Sequence, residues 1–120
     1  MLEVLDETAG DVVALRITGR HIHGESHKLA GMIDARIATY GHARCFIEIT
    51  ETDGVELSAL KEDLQFELEH GDQIRRCAVV GEHSWERWLV RILSLYFRSA
   101  DIQFFPENDR GRALEWLGEE

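Results

Sequence analysis

"RRCAVVGEHSWERWLVRILSLYFRSADIQFF", residues 75–105, sets two short apolar runs on either side of a longer amphipathic one. The first run closes at Gly81 after Ala78, Val79 and Val80, and the last closes at Phe104 and Phe105. Between them, from Trp85 to Phe97, apolar side chains return at helical spacing. Strand, helix and strand in this order make a parallel pair joined by a crossover, and such crossovers are right-handed. The fold is therefore α/β, and the rest of the chain can be read outward from this unit.

Toward the N-terminus the same periodicity predicts strands at about 2–6, 11–18, 44–50 and 74–80, with helices at about 25–40 and 56–70. The quoted unit adds a helix at about 84–98 and a strand at about 101–105, and a last helix follows at about 108–118. "ETAGD", residues 7–11, reads as a hairpin turn, so the first strand should run antiparallel to the second and the others parallel. The strands mostly alternate: Leu15 and Ile17 oppose Arg16 and Thr18, Ile47 and Ile49 oppose Glu48 and Thr50, and Ile102 and Phe104 oppose Asp101 and Gln103. A sheet covered on both faces reads instead as continuous apolar runs. One half-solvated face fits a five-stranded mixed sheet in sequential order, a β-α superhelix with helices stacked mainly on one face. Sequential order has no reversal of direction, hence no topological switch point of the kind that binds nucleotides. Neither GxGxxG nor GxxxxGK[ST] occurs, which also argues against a nucleotide enzyme.

The 120 residues suit one domain, residues 1–120, and the composition, 44% hydrophobic and 30% charged, is that of a folded chain. The formal charge of −10 is even: 5 Lys/Arg against 10 Asp/Glu in residues 1–60, and 8 against 13 in residues 61–120. Binding to nucleic acid or to anionic headgroups by charge needs a basic cluster, so no nucleic-acid partner is expected. "MLEVLDETAG" has no signal-peptide pattern and no run is long enough to span a membrane, so the expected location is cytoplasmic, with any membrane association peripheral. Cys45 and Cys77 lie in apolar strand runs without CxxC spacing and read as reduced, structural thiols.

The quoted segment extended to "PENDRGRALEWL", together with "LSALKEDLQFELEHG" and "VVALRITGR", resembles the SpoIIAA-like family, described as STAS/SEC14-like. The most specific part is an arginine-led strand ending in "AVVG", a helix opening with Trp85, a strand ending in Phe104 and Phe105, and a closing helix with Ala113, Trp116 and Leu117. The resemblance implies a β-α superhelix and two functions, neither catalytic. One is a regulatory module of the anti-sigma-factor-antagonist type, switched by phosphorylation of a serine at a helix start. The other is a carrier or sensor of apolar ligands that can associate with membranes.

Ser58 is the serine that the first function points to. It opens the predicted 56–70 helix, where unpaired N–H groups favour a phosphate. The stretch "VELSALKE" keeps Ser58 and Leu60 but lacks the glycines and aspartate of the antagonist motif. An ordinary helix-start serine explains it equally. "HIHGESH" brings together His21, His23, Glu25 and His27, and His83, Thr52 and Asp53 follow strands at the same sheet edge. Zinc needs three or four ligands at defined distances, and this spacing is not diagnostic, so no metal or other cofactor is expected. Glu62, Asp63, Glu67 and Glu69 lie off the Leu57, Leu60, Leu64, Leu68 stripe as a solvated helix face does, and no catalytic residue stands out.

The 84–98 helix says most about function. Its polar stripe of Ser84, Arg87, Arg91, Ser94 and Arg98 covers only about 80° at 100° per residue. The rest is apolar apart from Glu86, more than one sheet contact requires. Either a neighbouring helix, at 56–70 or 108–118, covers the surplus, or it is a contact surface. Phe66, opposite the leucine stripe of its own helix, belongs to the same candidate patch as Trp88, Val90, Leu93 and Phe97. The sequence thus points to a non-catalytic binding module for an apolar small molecule or lipid. A regulatory protein-protein module, or a surface for a second copy of the chain, is the alternative.

Overall fold

The computed structural model describes residues 2–18, 25–50, 73–82, 91 and 100–119. Along them run β1 (Leu2–Val4), β2 (Val12–Thr18), α1 (Glu25–Tyr40), β3 (Ala43–Thr50), β4 (Ile74–Gly81), β5 (Asp101–Pro106), a 3-10 turn (Glu107–Asp109) and α2 (Arg110–Gly118). The strands form one sheet in the order β1-β2-β3-β4-β5. β1 is antiparallel to β2, and every later pair is parallel. Sheet, order and directions are those read from the sequence. The predicted helix at 56–70 falls outside the described residues, as does that at 84–98 apart from Arg91, which is helical.

β1 ends two residues short of its expected span because its partner needs a different group there. Thr8 folds back so that its hydroxyl accepts from the Ala14 N–H at 2.9 Å and lies 3.1 Å from the Ala14 carbonyl, to which the Leu5 N–H also donates at 2.8 Å. A side chain thus stands where a paired strand residue would satisfy β2. The turn itself is tight: Ala9 and Val12 exchange both backbone hydrogen bonds across Gly10 and Asp11. Gly10 has φ 59°, a conformation that an L side chain adopts rarely.

Side chains sort to two faces. On the first, Ile33 and Ile37 of α1 bury against Val13, Leu15, Cys45, Ile47 and Ile49, and the layer continues to Ile74, Cys77, Val79 and Phe104. α1 stops where Gly41, at φ 82°, donates back to the Ile37 carbonyl at 2.7 Å. Tyr40, by contrast, is 47% exposed. It sits on the last turn, past the sheet contact that Ile37 makes.

On the second face Phe46, Ala78, Val80 and Phe105 form an apolar strip, and α2 lays Ala113 and Leu117 on it. Phe46 breaks the alternation of β3, which is why the middle of this face is dry while Arg16, Thr18, Thr50 and Gln103 keep its ends polar. Nine residues are too few to hold a helix in water, so α2 depends on these contacts. Its C-terminal carbonyls are met from the sheet: Arg44 Nη1 donates to Leu117 O at 3.0 Å, and Arg76 Nη1 donates to Trp116 O. The Arg76 guanidinium also stacks on the Trp116 ring at 5.0 Å, and Trp116 meets Phe105 at 5.8 Å between ring centroids. Cations at a helix C-terminus offset its negative end.

Candidate functional site

Because β2, β3 and β4 run parallel, their carboxyl ends, Thr18, Thr50 and Gly81, reach one edge of the sheet. The Thr18 and Thr50 hydroxyls lie 3.3 Å apart. Gly81 lies close to its neighbours there: a Cβ would stand 3.4 Å from the Ile49 carbonyl oxygen and 3.8 Å from the Phe104 ring.

Just inside this edge, on the second face, lies a chain of charges. Glu48 is the one buried charged side chain among the described residues, at 9% exposure. Arg16 Nε reaches its Oε2 at 3.0 Å, and Arg110 Nε lies 3.4 Å from its Oε1. Arg110 Nη2 also pairs with Glu7 at 3.0 Å, and Arg16 approaches Glu3 at 3.7 Å. The guanidinium of Arg110 stacks over Phe46 at 5.1 Å. Burial works against the Arg110 charge, but the Glu7 and Glu48 carboxylates outweigh it and hold the group above its ordinary value. Glu7 is held below 4.5, first by its own backbone hydrogen bond and, against some desolvation, by Arg110. Chemically this is a clasp: it fastens the start of α2 to β1, β2 and β3, and both arginines are committed to carboxylates.

The two thiols face each other as register partners on β3 and β4. Burial pushes the Cys45 thiol up to about 12, and burial plus the neighbouring Cys45 pushes Cys77 well above 9.0. Sealed and protonated near neutrality, they lack the exposed, lowered thiol of a reactive cysteine. Both are free and buried, in line with the structural role read from their sequence context.

Of the residues singled out from the sequence, Ser58, Phe66, Trp88, Val90, Leu93 and Phe97 lie outside the described residues, as do His21, His23 and His83. His27 belongs to α1, with its side chain undescribed. Among the described residues no three His, Cys, Asp or Glu side chains group as metal ligands would. The sequence reading missed two features: the Glu48 clasp and a groove of about 220 Å³ beside α1 lined by Met32, Ala35, Arg36, Thr39 and Tyr40. A signal for the first was present. "LRIT" (15–18) and "IEIT" (47–50), laid side by side, put Arg16 against Glu48 and Thr18 against Thr50, which is the observed register.

No curated protein and no solved structure matches the chain. The model of the family described as SpoIIAA-like matches residues 12–118, from the start of β2 through α2. With that match over nearly all of its length, and with the sequential sheet the resemblance implied, the chain belongs to the SpoIIAA-like family.

Proposed function

We propose that the chain is a non-catalytic binding module for an apolar small molecule or lipid, with Val90, Leu93 and Phe97 as its working surface beside Trp88 and Phe66. The observation that carries this is the apolar surplus of residues 84–98. Of the two helices that could cover the surplus, α2 is already committed: Ala113 and Leu117 pack on Phe46, Ala78, Val80 and Phe105 of the second face. Among the described residues no helix is long and apolar enough to cross a membrane, so the membrane association proposed is peripheral.

Leu93→Glu and Phe97→Glu test the surface. On an accessible patch both should keep a cooperative melt and lose binding of an environment-sensitive apolar dye. Under permanent cover, a buried unpaired charge would cost several kcal/mol out of a total of about 5–15. Failure of both variants to fold would therefore refute the reading. With a net charge of −10, liposome binding should persist on neutral lipid and in high salt.

Membership of the SpoIIAA-like family favours a second reading, a STAS-type regulatory protein-protein module switched at Ser58. Ser58→Asp separates the two. It should leave apolar-ligand retention unchanged, whereas a switch would lose its protein partner. Phosphate on Ser58 in cells would favour the second reading.

A further inference from the structure

At the opposite edge of the sheet, where the parallel strands begin, a cavity of about 340 Å³ is lined by Arg44, Arg75, Arg76 and Glu119. Three guanidiniums on one wall stand out in a chain of net charge −10. The strand pairing sets them there. Arg44 and Arg76 are register partners, so two like charges face each other directly, an arrangement that costs stability unless something offsets it. The register then shifts between Ala43 and Arg44, whose partners are Ile74 and Arg76, leaving Arg75 as an extra residue of β4. Bulges of this kind re-aim a side chain.

The three arginines differ in their commitments. Arg44 is held by Asp11, 3.1 Å from its Nε, and by the Leu117 carbonyl. Arg76 is held by the Trp116 ring and carbonyl, with Glu119 only at 3.9 Å. Each guanidinium carries five N–H donors, so both keep donors to spare while their position is fixed. Arg75 is exposed and pairs with none of the described residues. Among the described residues the one carboxylate on the wall is that of Glu119, which is 64% exposed and only 3.9 Å from Arg76, a weak competitor for an incoming anion. Fixed guanidinium forks with spare donors match the oxygens of a phosphate group, and the order already imposed on Arg44 and Arg76 lowers the entropy lost on binding.

We propose that this cavity binds a small phosphate-bearing molecule, gripped by Arg44 and Arg76 and closed over by Arg75. Three cations, the number among the described lining residues, are too few for a nucleic-acid track, so the ligand is a small one. The site lies on the strand edge away from Thr18, Thr50 and Gly81 and draws on none of the residues of the apolar surface proposed above.

The test is a titration of uniformly ¹⁵N-labelled protein, reading arginine Nε–Hε signals with inorganic phosphate, acetate and chloride at matched ionic strength. Phosphate should move the Arg44, Arg75 and Arg76 signals saturably and bind at least about tenfold more tightly than acetate, a difference of about 1.4 kcal/mol. Arg75→Ala should weaken phosphate about tenfold with an unchanged melting temperature, since it breaks no described contact. Glu119→Gln removes the competing carboxylate and should tighten binding. Signals that move alike with all three anions, or that fail to saturate, would overturn the proposal. So would undiminished binding in Arg75→Ala or weaker binding in Glu119→Gln.

Discussion

Glu48 is the residue on which the second face turns. Its carboxylate is nearly dry while both its arginines keep about a third of their surface in water, so the cost of losing it is moderated by solvent. Glu48→Ala should destabilise by about 1–3 kcal/mol, because two charge-assisted contacts vanish and Arg16 and Arg110 lose their shared anion. Arg16→Ala should cost less, since Arg110 still pairs with Glu48. Urea unfolding of the two variants would show the order, and a Glu48→Ala loss below about 0.5 kcal/mol would mean the clasp is ornamental. Glu7 adds a pH dependence of definite sign. Its folded value is depressed, first by its own backbone hydrogen bond and then by Arg110, so these contacts contribute stability above 4.5 that is lost as the pH falls through the folded value. Since the pair is about a third exposed, Glu7→Gln should flatten the acid limb of the stability profile by under about 1 kcal/mol.

At the scale of elements, α2 tests whether tertiary contact or local propensity holds the fold together. The helix has no side-chain N-cap bond, and no basic residue of its own lies in its last turn. Its stability is supplied by Leu117 and Ala113 beneath it and by Arg44 and Arg76 at its end. A peptide of residues 106–119 should accordingly be unfolded by circular dichroism, while Leu117→Ala in the full chain should cost about 2–4 kcal/mol in urea. A helical peptide would contradict this. The same element shows how far the sequence could be read. Ala113, Trp116 and Leu117 marked the helix and its buried side. The face it would take was hidden, because Phe46 sits among alternating residues and a single aromatic does not betray an apolar strip made jointly with Ala78, Val80 and Phe105 from two other strands. The arginine caps were hidden for the same reason: Arg44 and Arg76 are far from α2 in sequence and meet its carbonyls only through the sheet. Strand register, by contrast, was legible in the "LRIT" and "IEIT" pair.

For the molecule as a whole, both proposed binding roles rest on one core. A core that is continuous across β2 to β5 should keep its thiols sealed. Cys45 and Cys77 are each no more than 1% exposed, so a thiol-reactive chromogenic disulfide should label neither in the native protein and both in denaturant. Labelling of the native state on the timescale of mixing would mean the sheet opens locally. The proposed apolar surface could be read from the sequence, because an over-wide apolar arc is a property of one helix alone. The phosphate cavity was not legible there, since it arises from one extra residue in β4 and from arginines brought together by pairing. Native mass spectrometry of the gently purified chain probes the central claim most directly. The account predicts an adduct of apolar small-molecule or lipid mass that is released on denaturation and is absent from Phe97→Glu. A chain that flies at its bare mass under every gentle condition, or an equal adduct on Phe97→Glu, would contradict it.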